Sequence, residues 1–199
     1  VVALAAASVP ARPAPTAEAA PPFPVPPQRI AAHATPASGR WPLRLTLAEA
    51  DLDAAVVPVA VRTDGQLDVP EDAKTAGWWK DTAPPGSRQG STLIAGHLDT
   101  RHGAAVFAPL TRAKPGDRVT VATPNSTLSY RVTTVTVRRG AALPDEYTAT
   151  SGPPRLVLVT CTGPYLHGRG YRDRLYVAAA PAGPSKPVTT RPPRTPANG

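Results

Sequence analysis

Short extended segments, separated by turn residues, fill the central part of this chain with no long helical repeat between them. Glycine, proline, asparagine and aspartate recur between the segments and mark turns. The segments are apolar or alternate apolar with polar residues, as strands do, and they span 43–47, 54–61, 66–70, 91–95, 118–122, 128–137, 156–160 and 175–180. A parallel βαβ arrangement would need long amphipathic helices, which the pattern lacks. The sequence therefore predicts an all-β barrel or sandwich.

Helix is expected in two short stretches. Residues 71–76 suit one helical turn that ends at Gly77, and residues 103–110 suit a short helix or a tight turn. We expect residues 138–154 and the glycine-rich residues 162–171 to form loops. The predicted domain is therefore built almost entirely of strands and their connections.

The distribution of proline divides the chain into three parts. Ten of the 27 prolines lie in residues 1–42 and six in 181–199. We expect one folded domain over 43–180, an extended Ala/Pro-rich linker over 1–42 and a disordered Pro/Thr-rich tail over 181–199. Residues 1–9 are apolar but shorter than the roughly 20 residues of a spanning helix. They are expected to be either the end of a membrane anchor whose remainder is missing or an apolar chain end.

The formal net charge of +8 is concentrated in the flanks. Residues 43–180 hold 16 Lys and Arg against 13 Asp and Glu, whereas the flanks hold six basic residues and one acidic residue. A nucleic-acid-binding domain would show a basic face or a basic patch interleaved with aromatic residues, and this sequence shows neither. We therefore expect no nucleic-acid partner. A basic flank suits an anionic membrane or wall surface better.

The chain has one cysteine, Cys161, directly after the predicted strand 156–160. Thr162, Gly163 and Pro164 follow it and are expected to end the strand. A thiol at a strand-to-loop junction occupies a common position for a catalytic group. The alternative is a small buried apolar residue without reactivity. A single cysteine excludes an internal disulfide and leaves a free thiol.

A cysteine nucleophile needs a base, and an imidazole is the usual one. Of four histidines, His97 has the most suitable position, because Gly96 separates it from the predicted strand 91–95. His102 and His167 lie in predicted loops and are weaker candidates. His97 is therefore the predicted partner of the thiol.

Attack on an amide carbonyl also requires a group that stabilises the oxyanion. An arginine suits this task, since its guanidinium stays charged and offers several donors. Arg169, Arg172 and Arg174 all follow Cys161 within 13 residues. Because Arg172 and Arg174 are two positions apart, they share a face of a strand, and Asp173 is expected to face the other way.

Two further groups of residues attract attention. Trp78 and Trp79 are adjacent and are expected to form core or a groove wall, with direct substrate contact as the alternative. Glu49, Asp51 and Asp53 are acidic and spaced by two, but they lie between the first two strands. We expect these carboxylates to be solvated and predict neither a metal nor another cofactor.

The order His97, Cys161 and arginine on an all-β chain resembles the sortases, the cysteine transpeptidases of Gram-positive cell surfaces. The sortase cysteine ends a Thr-Leu-any-Thr-Cys-like segment, which Leu-Val-Thr-Cys at 158–161 matches. The closer likeness is to the class F sortases of actinobacteria. It covers about residues 43–180 and rests on the boxes at 76–79, 85–86, 95–99, 105–107, 115–117 and 171–173.

The resemblance implies a mixed eight-stranded β-barrel with one or two short helices. It implies that Cys161 attacks the Thr–Gly bond of a Leu-Pro-any-Thr-Gly-like sorting signal and forms a thioacyl enzyme. An amine of a peptidoglycan precursor would then resolve this intermediate, with His97 as acid and base. Arg172, with Arg174 as the rival, would bind the substrate backbone and the oxyanion. Thr160, Trp78 and Trp79 are the implied or candidate substrate-binding residues.

The resemblance also implies a monomer at the extracellular face of the cell membrane, held by an N-terminal anchor. Two positions depart from the class F pattern. Thr162 stands where that class usually has glycine after the cysteine, and Arg174 stands where asparagine often follows Tyr-any-Asp. These departures leave two assignments open, the subclass and the catalytic arginine.

Other functions compete with this interpretation. An L,D-transpeptidase-like enzyme would also use Cys and His, but that family places the two close together, whereas here they are 64 residues apart. A Cys–His peptidase is a further alternative, because a sortase without an amine acceptor hydrolyses its thioester. A non-catalytic sortase-like or β-sandwich binding module on a proline-rich stalk is the alternative that involves no reaction.

Overall fold

The chain is described by a computed structural model, which covers residues 23–24, 40–140, 142–168, 170–183 and 186–187. Most of the predicted flanks, 1–42 and 181–199, lies outside the described residues, and so does Arg169. The described part is dominated by strands. Its helical elements are a single α-helical turn, α1, and two 3-10 segments, and their bounds are Asp145–Thr148, Ala48–Ala50 and Ala108–Arg112.

Eight strands close one sheet into a barrel. In chain order they are β1 (Arg44–Leu47), β2 (Leu52–Val59), β3 (Thr75–Trp79), β4 (Ser91–Ala95), β5 (Arg118–Ala122), β6 (Ser126–Arg139), β7 (Arg155–Leu166) and β8 (Gly170–Pro181). Around the barrel the order is β8, β7, β4, β3, β2, β1, β5 and β6, and β6 pairs with β8 to close the ring. The pairs β4–β7 and β2–β3 are parallel, and the other six are antiparallel. The predicted mixed eight-stranded β-barrel is confirmed.

Side chains alternate between the two faces of each strand, and this alternation produces two apolar clusters. The barrel interior contains residues from all eight strands, among them Leu45, Leu47, Val56, Trp78, Ile94, Val119, Val132, Leu158 and Leu175. A second cluster covers the outer face of β3, β4, β7 and β8, and its members include Trp79, Leu93, Val157, Val159, Cys161 and Tyr176. Leu143 and Tyr147, from the connection before β7, cover this outer cluster. The thiol therefore belongs to the outer face of the barrel.

The helical turn predicted over 71–76 is wrong, because β3 begins at Thr75. Residues 71–74 form a bend and a turn that lead into it. Ala76 and Gly77 are buried between β2 and β4, and sheet pairing on both sides outweighs the weak local helical pattern. The stretch 103–110 contains a two-residue strand and the start of a 3-10 helix, in agreement with the predicted short helix or tight turn.

The predicted end of the strand at Cys161 is also wrong. β7 continues to Leu166 and forms a hairpin with β8. A register shift between Thr162 and Tyr165 takes up the intervening Gly-Pro pair, and Gly163 adopts a φ of +78° that suits glycine. A bulge thus lets the strand pass residues that normally end one.

Short pairings join both flanks to the domain. Phe23–Pro24 pairs with Gln66–Leu67, and Lys186–Pro187 pairs with the start of β6. Neither pairing was anticipated from composition. Among the described residues, no helix has the length and apolar character needed to cross a membrane.

Two leucines at the start of the barrel, one buried and one exposed, give a direct test of its interior. Leu45 is 0% exposed, while Leu43, two residues before it, is 47% exposed. We expect Leu45→Ala to lower the free energy of unfolding by about 3 kcal/mol, since it leaves a cavity in the core. Leu43→Ala, the matched control, should change it by about 0.5 kcal/mol or less. Urea unfolding measures both values, and equal losses would contradict the burial of Leu45 in the barrel interior.

Candidate active site

The strand order places three candidate site residues at one end of the barrel. β7 lies between β4 and β8. Its parallel register with β4 ends where Ala95 is opposite Val159, so His97 follows two residues later, at the level of Cys161. Its antiparallel register with β8 pairs Cys161 directly with Arg174. The barrel thus brings His97 close to Cys161, although the two are far apart in sequence. It also places Arg174 directly across from Cys161.

Hydrogen bonds hold the end of β4 against β7. The Gly96 N–H donates to the Val159 carbonyl oxygen at 3.2 Å, and the Thr160 Oγ1 donates to the Gly96 carbonyl oxygen at 2.9 Å. Thr160 is completely buried. Its hydroxyl therefore joins the histidine strand to the cysteine strand, and this placement speaks against the direct substrate contact expected for Thr160.

The backbone around His97 is fixed from the other side by the segment after it. The Phe107 N–H donates to the His97 carbonyl oxygen at 3.0 Å, and the Ala105 N–H donates to the Leu98 carbonyl oxygen at 3.0 Å. The Phe107 ring packs so closely on Gly96 that a Cβ there would lie 2.7 Å from it. Only glycine fits this position without a shift of the ring.

Burial and charge act in opposite directions on the thiol. Cys161 is 3% exposed, and this burial raises the pKa of its thiol. The positive charge of Arg174 acts to lower that pKa, whereas the negative charge of Asp99 adds to the increase. Since burial is the largest effect, the thiol form prevails at neutral pH.

The pKa of the His97 imidazole is shifted in the opposite direction, downwards. His97 is half-buried, and its burial lowers the pKa of the ring below the ordinary value. Asp99, a hydrogen bond to the Pro70 carbonyl and Glu71 oppose this shift but are smaller. Both pKa shifts therefore favour the uncharged pair, a thiol and a neutral imidazole, in the free protein.

The two candidate arginines have different surroundings. Arg174 is 0% exposed, and its Nη1 donates to the carbonyl oxygens of Tyr171 at 2.8 Å and Asp173 at 3.0 Å. The side chain of Arg172 is 40% exposed and forms a two-point ion pair with the Asp173 carboxylate at 2.8 and 2.9 Å. Their spacing of two residues predicted that both arginines share one face of the strand, but the strand register places only Arg174 directly across from Cys161. The geometry favours Arg174 over Arg172, the arginine preferred from the resemblance.

The paired tryptophans lie on opposite faces of β3. Trp78 fills the barrel interior and Trp79 belongs to the outer cluster, with exposures of 0% and 1%. The Trp79 Nε1 donates to the Asp81 carboxylate at 3.3 Å. Their burial agrees with the expectation of core residues and speaks against direct contact between either ring and a substrate.

The remaining candidates lie at the surface. His102 is exposed and accepts a hydrogen bond from Arg101, and His167 is exposed at the β7–β8 turn. Asp51 and Asp53, two of the acidic residues considered for a metal, form exposed ion pairs with Arg112 and Arg44. Within the part of the chain that the structure describes, no group of three His, Cys, Asp or Glu side chains could hold a metal ion.

Two residues at the site were not singled out from sequence. The Tyr171 hydroxyl donates a hydrogen bond to the Asp99 carboxylate. Asp99 lies two residues beyond His97, and Tyr171 lies three residues before Arg174. Both belong to the sequence boxes at 95–99 and 171–173, on which the resemblance to sortases rests. The sequence alone does not reveal that the two side chains are in contact.

The bond from Thr160 to Gly96 can be tested by paired substitutions. We expect Thr160→Val to lower the free energy of unfolding by about 1–3 kcal/mol, because it leaves a buried carbonyl without its donor. Thr160→Ser keeps the hydroxyl, so its free energy of unfolding should fall by less. Denaturant unfolding of the two variants makes the comparison, and an equal loss would assign the effect to packing instead.

The pH dependence of Cys161 alkylation by iodoacetamide should distinguish the two arginines. Removal of the positive charge in Arg174→Gln is expected to raise the pKa of the thiol by about one unit and to slow alkylation at neutral pH. Arg174→Lys, which keeps a charge, should shift it less. Arg172→Gln is the matched control and should leave the midpoint unchanged, since Asp173 already pairs with that guanidinium. If only Arg172→Gln shifted the alkylation midpoint, Arg172 and not Arg174 would be the arginine that acts on the thiol.

Comparison with known proteins gives a consistent result. The family model of the sortase domain matches residues 45–182, more than half of the chain. Sortase E1 from Streptomyces coelicolor with tripeptide in the active site aligns with a TM-score of 0.58 and 19% identity, covering 77% of this chain and 94% of that one. No curated protein matches the sequence.

Two other solved structures share the fold at low identity. A lid mutant of sortase A from Corynebacterium diphtheriae has a TM-score of 0.56 and 19% identity, and the alignment covers 74% of this chain and 73% of that one. A mutant of sortase C-1 from S. pneumoniae has a TM-score of 0.55 and 21% identity. That alignment covers 70% of this chain but less than two thirds of the other, 65%. The matched family model and the shared barrel establish that the chain belongs to the sortase family.

Proposed function

We propose that this chain is a cysteine transpeptidase that cleaves a Leu-Pro-any-Thr-Gly-like sorting signal between Thr and Gly and transfers the acyl part to a cell-wall amine. The observation that carries the proposal is the placement of Cys161 between two partners. Arg174 is its register partner on β8, and His97 follows the parallel neighbour β4. Sortase family membership supports the reaction type.

In the first step, the Cys161 thiolate attacks the carbonyl carbon of the substrate threonine. The oxyanion that forms is stabilised by the buried guanidinium of Arg174, which offers several hydrogen-bond donors. When the C–N bond breaks, the His97 imidazolium gives its proton to the leaving amine of glycine. The products of this step are a thioester on Cys161, a free amino end and a neutral His97.

In the second step, an amine of the peptidoglycan precursor attacks the thioester carbonyl. His97 takes the proton of that amine, an amide bond forms and the Cys161 thiolate leaves. The thiolate and imidazolium that began the cycle are thereby restored. Water in place of the amine gives hydrolysis, so the peptidase alternative uses the same intermediate.

The protonation states of the free protein bear on the rate. Burial raises the pKa of the Cys161 thiol and lowers the pKa of the His97 ring, so the thiolate–imidazolium pair is a minority at neutral pH. The reaction then proceeds through that minority form. The pH profile of kcat/KM should be bell-shaped, with an acid limb set mainly by His97 and an alkaline limb set mainly by Cys161.

The cellular setting follows from the same proposal. The enzyme acts as a monomer on the outer face of the cell membrane, where surface proteins and peptidoglycan precursors are available, and it needs no cofactor. An N-terminal anchor holds it there, and the basic flanks suit an anionic surface. The sequence boxes favour class F within the family, while Arg174 takes the role that the resemblance first assigned to Arg172.

Intact-mass spectrometry with a Leu-Pro-any-Thr-Gly peptide tests the proposal. We expect a thioacyl adduct on the wild-type protein and ligated product when glycine or a diamino-acid amine is added. Cys161→Ala should give neither. Arg174→Gln should lower kcat/KM by about 10²-fold or more, whereas Arg172→Gln should remain near wild type.

Three other outcomes have separate meanings. Cleavage without ligation at saturating amine would identify a peptidase. A wild-type protein that alkylates at Cys161 but forms no adduct with any of a panel of sorting signals would contradict the transpeptidase proposal. Full biological activity of Cys161→Ala would favour the binding module.

A further inference from the structure

A hydrogen bond spans the cysteine strand at the site. Asp99 belongs to the chain that continues from β4, and Tyr171 belongs to β8, so the bond from the Tyr171 hydroxyl to the Asp99 carboxylate crosses β7, which lies between them. On the β8 side, Arg174 Nη1 donates to the Tyr171 carbonyl oxygen at 2.8 Å. A chain of contacts therefore runs from the arginine to the residue two positions beyond the histidine.

We propose that Asp99 and Tyr171 are positioning residues, whose hydrogen bond sets the spacing between His97 and Arg174 across Cys161. The bridge is a feature of the structure alone. Its effect on turnover rests on the proposed function.

Both ends of the bridge are restrained by further contacts. Asp99–Thr100 pairs antiparallel with Gly103–Ala104, which makes the segment after His97 a short, closed hairpin. Tyr171 pairs with Tyr165 in the β7–β8 register, and the two rings meet edge to face with centroids 5.3 Å apart. The contact with Tyr165 and the strand pairing therefore orient the Tyr171 ring, with its hydroxyl towards the Asp99 carboxylate.

The Asp99 charge influences both reacting groups. It acts to raise the pKa of His97 by favouring the imidazolium, and it acts to raise the pKa of Cys161 by disfavouring the thiolate. The other charged group near His97 is Glu71, with the Pro70 carbonyl as a hydrogen-bond acceptor. The other charged group near Cys161 is Arg174. The pKa of Tyr171 is raised by burial and by its bond to Asp99, so the phenol remains a neutral donor throughout the working range.

These influences give the bridge a definite chemical task. Burial alone would leave His97 neutral, and a neutral imidazole has no proton to give to the leaving amine. A carboxylate held near the ring restores part of the imidazolium population, while the tyrosine keeps that carboxylate from swinging towards solvent. Arg174 on the opposite side of Cys161 balances the unfavourable effect of Asp99 on the thiolate.

Asp99→Asn removes the charge but keeps an acceptor for the Tyr171 hydroxyl. We expect the pKa of His97 to fall by about half a unit to one unit and the midpoint of Cys161 alkylation to move to lower pH by a similar amount. NMR titration of the ring protons, with the His97 signal assigned from a His97→Gln variant, measures the first value. The iodoacetamide rate as a function of pH measures the second. Neither measurement needs a substrate.

Glu71→Gln is the matched control for charge. Glu71 is an exposed carboxylate that acts on His97 but is not among the charges that act on Cys161. The control should therefore lower the pKa of His97 slightly and leave the alkylation midpoint unchanged. A common shift of both groups is expected only from Asp99→Asn.

Tyr171→Phe keeps the charge but removes the hydrogen bond. Loss of a bond to a charged group is expected to speed amide hydrogen exchange of residues 97–104 by about tenfold. The pKa of His97 should stay within a few tenths of its wild-type value. With an active substrate, kcat should fall by about tenfold with little change in KM, because the histidine is less well placed.

Two results would overturn the proposal. One is an Asp99→Asn protein in which both the His97 pKa and the alkylation midpoint are unchanged. The other is a Tyr171→Phe protein with wild-type hydrogen exchange over 97–104. If both substrate-free shifts occur but no sorting signal is turned over, the bridge stands and the proposed function fails, so the two conclusions are tested separately.

Discussion

The hydrogen-bonded register of β7 is the constraint on which the site depends. Its parallel pairing with β4 brings His97, two residues after β4, to the level of Cys161, and its antiparallel pairing with β8 puts Arg174 across from Cys161. A slip of one residue would turn the thiol from the outer cluster into the barrel interior. The bond from Thr160 to Gly96 and the close packing of Phe107 on Gly96 reinforce this register where β4 ends.

Apolar burial and charge are balanced around the thiol. The outer cluster, with Trp79 and Tyr176, removes Cys161 from water and so disfavours its charged form. The buried guanidinium of Arg174 supplies compensation in the same low-dielectric surroundings, where a charge acts more strongly than in water. Burial therefore disfavours the thiolate, while the charge of Arg174 partly offsets that effect.

Much of the fold could be predicted from the sequence, because strand alternation and turn residues are local signals. The segments at 91–95 and 118–122 coincide with β4 and β5. The predictions were wrong where contacts between distant parts of the chain determine the local structure. Thr75 and Ala76 belong to β3 instead of a helical turn, and β7 passes the Gly-Pro pair through a bulge that only its partner strand can stabilise. For the site, spacing suggested His97 and Cys161, but the choice of arginine and the meeting of Asp99 with Tyr171 depend on register between distant strands.

The bulge in β7 has a consequence for how the barrel could change. It lies between Thr162 and Tyr165, so the pairing with β8 is reset after Cys161 and before the hairpin tip. The turn at residues 167–168 can therefore be lengthened or exchanged without moving the pairing of Cys161 with Arg174 or that of Tyr165 with Tyr171. The architecture separates the candidate site from a hairpin tip that is open to variation, so loop grafting at the tip changes the surface beside the site and leaves the paired strands unchanged.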